Sequence, residues 1–169
     1  MAEKLSDLPM VKDRVFLAAV GVFLLATAVI LTALFFEHIM KYQPCELCFL
    51  QRKPWYFTVS FGLLMVFFAS KGETWVRYGL MLIGVVLLIS AGLGAWHAGI
   101  EWKWWPGPAS CTSGGGLQLG TLPDLNQRVV LCDEAPFRFL GLSFAGWNFV
   151  MSLIGAGIAF WGAFDNRKA

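Results

Sequence analysis

The sequence predicts an all-α membrane protein with four transmembrane helices and two outer loops. Three observations carry that prediction. Hydrophobic residues make up 57% of the chain and charged residues only 14%. The mean hydropathy is +0.64. Four long apolar stretches alternate with short polar ones. A soluble domain of 169 residues would carry far more charge, and this length suits one domain.

Residues 1–14, MAEKLSDLPMVKDR, are mostly polar. Residues 15–36 carry no charge, and about 20 apolar residues cross a bilayer as a helix. The run is too long for the apolar region of a signal peptide, and no A-x-A-like cleavage site follows, so it reads as a retained span. Glu37, His38, Lys41 and Pro44 interrupt it and open the first outer loop, residues 37–48. The second span, 49–70, has Arg52, Lys53 and Pro54 near its start. Proline lacks the helical donor and disfavours a helical residue before it, so Pro54 either kinks this helix or begins it.

KGETWVR, 71–77, is a charged turn, and the third span is 78–100. The second outer loop, 101–142, holds four of the seven prolines and the triplet Gly114–Gly116. The fourth span is 143–164, and 165–169 close this single membrane domain. Small residues recur in the third span (Gly84, Ala91, Gly92, Gly94, Ala95) and the fourth (Gly155, Ala156, Gly157, Ala159), and allow close helix contact. Trp102, Trp104 and Trp105 read as an interfacial anchor.

Lysine and arginine favour the cytoplasm. Lys4, Lys12 and Arg14 precede the first span, whereas Lys41 alone stands in the short loop after it. The segments 1–14, 71–77 and 165–169 are therefore assigned to the cytoplasm. All four cysteines, Cys45, Cys48, Cys111 and Cys132, then fall on the outer face, where disulfides persist. The net charge of +2, without a basic tract, gives no support for a nucleic-acid partner.

PCELC, residues 44–48, stands at the mouth of a span. Two intervening residues let the sulfurs meet, so the pair can cycle between dithiol and disulfide. A helix N-terminus and a nearby cation both favour the reactive thiolate. Arg52 follows Cys48 by four residues, which on a helix is the same face. Cys111 and Cys132 are separated by 20 residues. They are either partner-changing cysteines or a plain staple, which would stabilise by roughly 3 kcal/mol. One close and one wide pair do not suit a four-thiolate zinc site. His38 and His97, each near the outer end of a span, form the pattern of a bis-histidine haem carrier. A non-enzymatic scaffold with a stapled outer loop is the third reading.

Three segments together carry a resemblance. FFEHIMKYQPCELCFLQR, WHAGIEWKWWPGPASC and LCDEAPFRFLGLSFAGWNF resemble the cysteine-bearing segments of the DsbB family, the bacterial inner-membrane thiol oxidoreductases. The resemblance covers the spans, the loop order and all four cysteines. It implies a four-helix bundle that reoxidises a soluble periplasmic DsbA-type protein and passes two electrons to ubiquinone, or alternatively menaquinone. Carried over, Cys111 forms the mixed disulfide with the partner, and Cys132 is its pair and later links to Cys45. Cys45 and Cys48 form the pair near the quinone. Cys48 faces the ring, Arg52 stabilises its thiolate or the reduced quinone, and His97 lies near the quinone pocket. No metal is implied.

Overall fold

The computed structural model describes residues 14–108 and 131–164. Cys111, the triplet Gly114–Gly116, the segment 117–130 and the basic residues of both tails (Lys4, Lys12, Arg167, Lys168) lie outside the described residues. Four helices follow the four apolar stretches: α1 Arg14–His38, α2 Glu46–Ser70, α3 Val76–Glu101 and α4 Phe144–Ala163. The shortest, α4, has 20 residues, which at about 1.5 Å each covers the roughly 30 Å hydrocarbon core of a bilayer.

Three of the four, α1, α3 and α4, are long and apolar enough to cross a membrane. The 25-residue α2 is not among them, because Arg52, Lys53 and Pro54 in its first half lower its hydropathy. It begins at Glu46, well before Pro54, and runs through the proline. Pro54 therefore does not start the helix. The Thr58 hydroxyl donates to the Pro54 carbonyl at 2.8 Å, one turn on.

The helices pack as a closed ring, α1 on α2, α2 on α3, α3 on α4 and α4 back on α1, with α3 against α4 the most extensive contact. Along α1 and α4 the inward positions are largely small (Ala18, Ala19, Ala26, Ala156, Ala159), while Trp55, Met65, Leu80, Ile83 and Leu87 fill the centre. The outer surface is equally apolar: Leu24, Leu31, Phe57, Leu63, Phe67, Ile89 and Ile154 are all exposed. A helix apolar on every side belongs in a large core or a membrane.

With no water to compete, interhelical polar bonds then fix the register. Ser152 Oγ donates to Ser90 Oγ at 3.0 Å, Asn148 Nδ2 to the Ser90 carbonyl at 3.3 Å, and Trp55 Nε1 to Asn148 Oδ1 at 2.6 Å. This set ties α2, α3 and α4 together at mid-helix.

One end of the bundle is closed by a short hairpin. Strands β1 (Arg138–Phe139) and β2 (Leu142–Ser143) pair antiparallel. Leu140 and Gly141 at its tip have φ of 52° and 81°. Both values are positive, as a two-residue type I′ turn requires, and glycine accepts the second at no steric cost. Ser143 ends the hairpin and caps α4, its Oγ accepting the Gly146 N–H at 3.2 Å. Phe36, Tyr42, Phe137 and Phe144, with ring centroids 4.9 to 6.4 Å apart, join the end of α1 and the following loop to the start of α4.

At Gly94 the backbones of α3 and α4 come close together. A Cβ there would stand 2.8 Å from the Phe149 nitrogen and 3.0 Å from the Ala145 oxygen, neither of which can swing away. Gly94→Val is expected to force the helices apart and destabilise the protein by about 1–3 kcal/mol, the usual range for overpacking. Gly92→Ala, where the added carbon meets open space, is the control and should not destabilise, since alanine is the better helix former. Thermal unfolding of both variants in detergent checks this; equal midpoints would refute the close-contact account.

Candidate active site

The site is built on the start of α2. Cys45 is the N-cap residue, with extended backbone (φ −74°, ψ 171°), and its Sγ accepts the Cys48 N–H at 3.2 Å. The two-residue spacing thus brings Cys48 round one turn to the capping sulfur. The Sγ atoms are 2.6 Å apart and both cysteines are free. The helix N-terminus favours negative charge at this position. The Cys45 thiol is lowered to about 5, chiefly by the hydrogen bond from Cys48; burial opposes the shift, and the His97 ring adds to it by hydrogen bond and charge.

His97, in the last turns of α3, is 3% exposed. Its Nε2 is 3.9 Å from Cys45 Sγ and 3.2 Å from the Cys132 carbonyl oxygen, and its Nδ1 is 2.6 Å from the Gln51 amide. Cys132 is disulfide-bonded and buried. It packs with Cys45, Leu47 and Ile100 in one small apolar cluster, with Cys48 against it. The free cysteine pair and the disulfide-bonded Cys132 therefore meet at one imidazole. Lys103, just past α3, pairs with Asp133 at 2.7 Å and holds the backbone next to Cys132 in place.

Glu101 ends α3 one turn beyond His97, its Oε1 4.0 Å from Nε2, and the pair is almost fully buried. Cys45, Cys48, His97 and Glu101 line one cavity of about 20 Å3. That is room for a single water molecule. A larger groove of about 300 Å3 lies against the outside of the same helical turn, lined by Glu46, Leu47, Phe49, Leu50, Lys53 and Pro108.

Arg52 shares a helix with Cys48, one turn on, but its ion-pair partner is Glu37 of α1. Its guanidinium also lies 5.4 Å from the Phe49 ring centre. A cation at membrane depth needs such a partner. His38 is exposed, with Nδ1 3.2 Å from the Leu34 carbonyl, and both nitrogens of His97 are engaged, which leaves no ring nitrogen of His97 for a haem iron. Among the described residues, Cys45, Cys48 and His97 form a group of ligating atoms within 4.8 Å of one another. Two thiolates on one tetrahedral zinc stand about 3.8 Å apart, given Zn–S bonds near 2.3 Å. The 2.6 Å seen here suits sulfur–sulfur chemistry instead.

Three residues at the site carry no signal in the reading of the cysteines and histidines alone. Gln51 and Glu101 are legible only in hindsight, as the i+3 neighbour of Cys48 and the i+4 neighbour of His97 on their helices. Glu37 has no local signal, because its partnership with Arg52 crosses between helices.

Comparison with known proteins bears on the whole chain. Residues 14–162 match the family model described as "Disulfide bond formation protein DsbB". A relative from Marinobacter nauticus, named "Disulfide bond formation protein B", is 31% identical over 139 residues, covering 76% of this chain and 80% of its own. Proteins of the same name from Albidiferax ferrireducens and an Azoarcus species are 30% identical over 128 residues and 26% identical over 168. They cover 69% and 95% of this chain, and 69% and 97% of their own lengths. No solved structure matches the chain.

In the reduced protein the rate of Cys45 alkylation by iodoacetamide is expected to be half-maximal near pH 5. The thiolate is the reacting form, so a lowered value keeps the rate high above that pH and loses it below. An ordinary cysteine loses reactivity below about pH 8.5. Mass spectrometry of the Cys45 peptide after timed alkylation reads the profile; a midpoint above pH 8 would overturn the capped-thiolate account.

Proposed function

The chain belongs to the DsbB family, and from that premise we propose that it reoxidises a periplasmic DsbA-type thiol oxidase and passes the two electrons to membrane quinone. Membership makes it a multi-pass membrane oxidoreductase of disulfide bond formation. The finer reading rests chiefly on one observation: the free Cys45–Cys48 pair and the disulfide-bonded Cys132 converge on His97 in one buried cluster.

In this reading the chain crosses the bacterial inner membrane four times, at 15–36, 49–70, 78–100 and 143–164, with both termini in the cytoplasm. Cys111 is attacked by the partner's thiolate, forming a mixed disulfide and releasing Cys132 as a thiol. The partner's second thiolate resolves that bond and leaves oxidised. Cys132 then attacks Cys45 of the Cys45–Cys48 disulfide, which its position beside Cys45 favours, and Cys111 resolves the new bond, so that Cys111–Cys132 is again a disulfide and Cys45–Cys48 a dithiol. Cys48, half-buried at the start of α2, is the sulfur that meets the quinone.

Quinone, as substrate, accepts the electron pair and two protons. Ubiquinone or menaquinone would serve, because a DsbA-type oxidase stands at about −120 mV and needs a still stronger acceptor. Arg52 supplies positive charge near that reaction while Glu37 holds its guanidinium in place. His97 hydrogen-bonds Cys45 and orients the pair. The site needs lipid on one side for the quinone and water on the other for the partner, which accounts for a cysteine pair at the end of a bundle.

Two experiments test this. With a reduced DsbA-type partner and a water-soluble ubiquinone analogue, the purified protein should consume the oxidised-quinone absorbance, and Cys48→Ser should fall to the uncatalysed background. Normal turnover by that variant would sink the reading. Cys132→Ala should accumulate a mixed disulfide between Cys111 and the partner, seen as a thiol-sensitive band on a non-reducing gel; a partner that never becomes attached argues for an inert staple.

A further inference from the structure

Glu101 is a buried carboxyl that the route above does not use. Its Oε2 has no hydrogen-bond partner among the described residues. An ionised oxygen left bare in a closed site is costly, so such an atom calls for a water, a ligand or a proton. The cavity it lines also touches Cys45, Cys48 and His97, and has room for one water.

The groups around it point the same way. His97 is held at both ring nitrogens: Nε2–H donates to the Cys132 carbonyl at 3.2 Å and Nδ1 meets the Gln51 amide at 2.6 Å. Any proton that His97 accepts must therefore break the bond with Gln51 or turn its amide. Glu101 places its Oε1 4.0 Å from that ring, leaves its Oε2 unbonded and shares the cavity with both sulfurs. Burial pushes the Glu101 carboxyl up and outweighs, from the hairpin side, the Ser143 hydrogen bond and the positive charge of Arg138, which act the other way and favour the ionised form. Glu134 lines the same cavity.

We propose that Glu101 is the proton store of the cysteine pair, holding in the dithiol state the proton that Cys45 gives up and releasing it when the pair closes to a disulfide. In the first step the Cys45 S–H bond breaks and a Glu101 O–H bond forms, by way of the one water that the shared cavity has room for. On oxidation the sulfurs lose two electrons to the acceptor and form the S–S bond. Two protons leave with them, one from Cys48 and one from Glu101. A neutral carboxyl beside the Cys45 thiolate also avoids two like charges in one closed site.

The inference rests on Cys45 and Cys48 being a redox pair, but not on quinone being its acceptor. The test is a redox titration of that pair in the full chain against a soluble thiol–disulfide couple, with no quinone present. The oxidised fraction is read by differential alkylation of the peptide that carries both cysteines. Between pH 6 and pH 7 the wild-type pair takes up two protons per two electrons, as does the soluble couple, so the exchange constant between them should not change with pH while the pair's own potential falls by about 59 mV per pH unit.

Glu101→Gln mimics the protonated carboxyl and removes the second proton, so the exchange constant should drift about 10-fold per pH unit and the pair's own potential should fall by only about 30 mV. Glu101→Asp should keep the steep dependence. Equal slopes in wild type and Glu101→Gln would overturn the proposal, whether both are steep or both shallow. Should Glu101→Gln not fold, the wild type alone decides. Its dithiol-minus-disulfide infrared spectrum must contain the carbonyl stretch of a protonated carboxyl, and its absence refutes the assignment.

Discussion

The contact between α3 and α4 is the constraint on which the rest of the molecule depends. Gly94 lets the two backbones touch, and the Ser90–Ser152 and Ser90–Asn148 bonds set how far one helix is slid along the other. In lipid such bonds contribute about 0.6–2 kcal/mol each, modest in energy but decisive for register. That register puts His97 and Glu101 level with the start of α4. The chain entering α4 through the hairpin then delivers Cys132 and Ser143 against them. A slide of one turn would carry the imidazole about 5.4 Å away from the sulfurs and uncouple the two halves of the site.

The site is a polar island in an apolar protein, and its economy follows from that setting. Each polar group serves more than one neighbour. The Cys45 sulfur caps a helix and meets a second sulfur. His97 spans a sulfur, a backbone carbonyl and an amide. Arg52 and Glu37 neutralise each other at the edge of the bundle, where either charge alone would be expensive. Disulfide chemistry can proceed in such surroundings because it moves electrons between sulfurs while leaving little net charge behind.

Much of this was legible in the sequence, and the illegible parts have physical reasons. Uncharged runs locate the helices because a bilayer imposes both length and composition. The small residues of the third and fourth stretches marked the helices that would touch most closely, and Gly94 proved to be one such point. The cysteines announced themselves by spacing. The start of α2 did not, since Pro54 could either kink the helix or begin it, and α2 in fact starts at Glu46 and continues through the proline. Cys45 as an N-cap was hidden because thiols are not among the usual capping side chains. Glu101 read as the first residue of a loop; α3 extends to include it, and its carboxyl is buried against the hairpin. Arg52 was foreseen as charge beside a sulfur, but its pairing with Glu37 depends on how α1 and α2 lie together, which no local spacing encodes.

The cap on α2 ties the first helical turn to the charge on Cys45. A thiolate is a strong acceptor for the Cys48 N–H, whereas a sulfur in a disulfide is neutral and a weak one. The firmness of the first helical turn therefore follows the number of electrons that the pair holds. Glu46, Leu47, Phe49 and Leu50 ride on that turn and form the wall of the outside groove. In the proposed reaction the wall of that groove would be held tightly while the pair is charged with electrons and more loosely once they have gone.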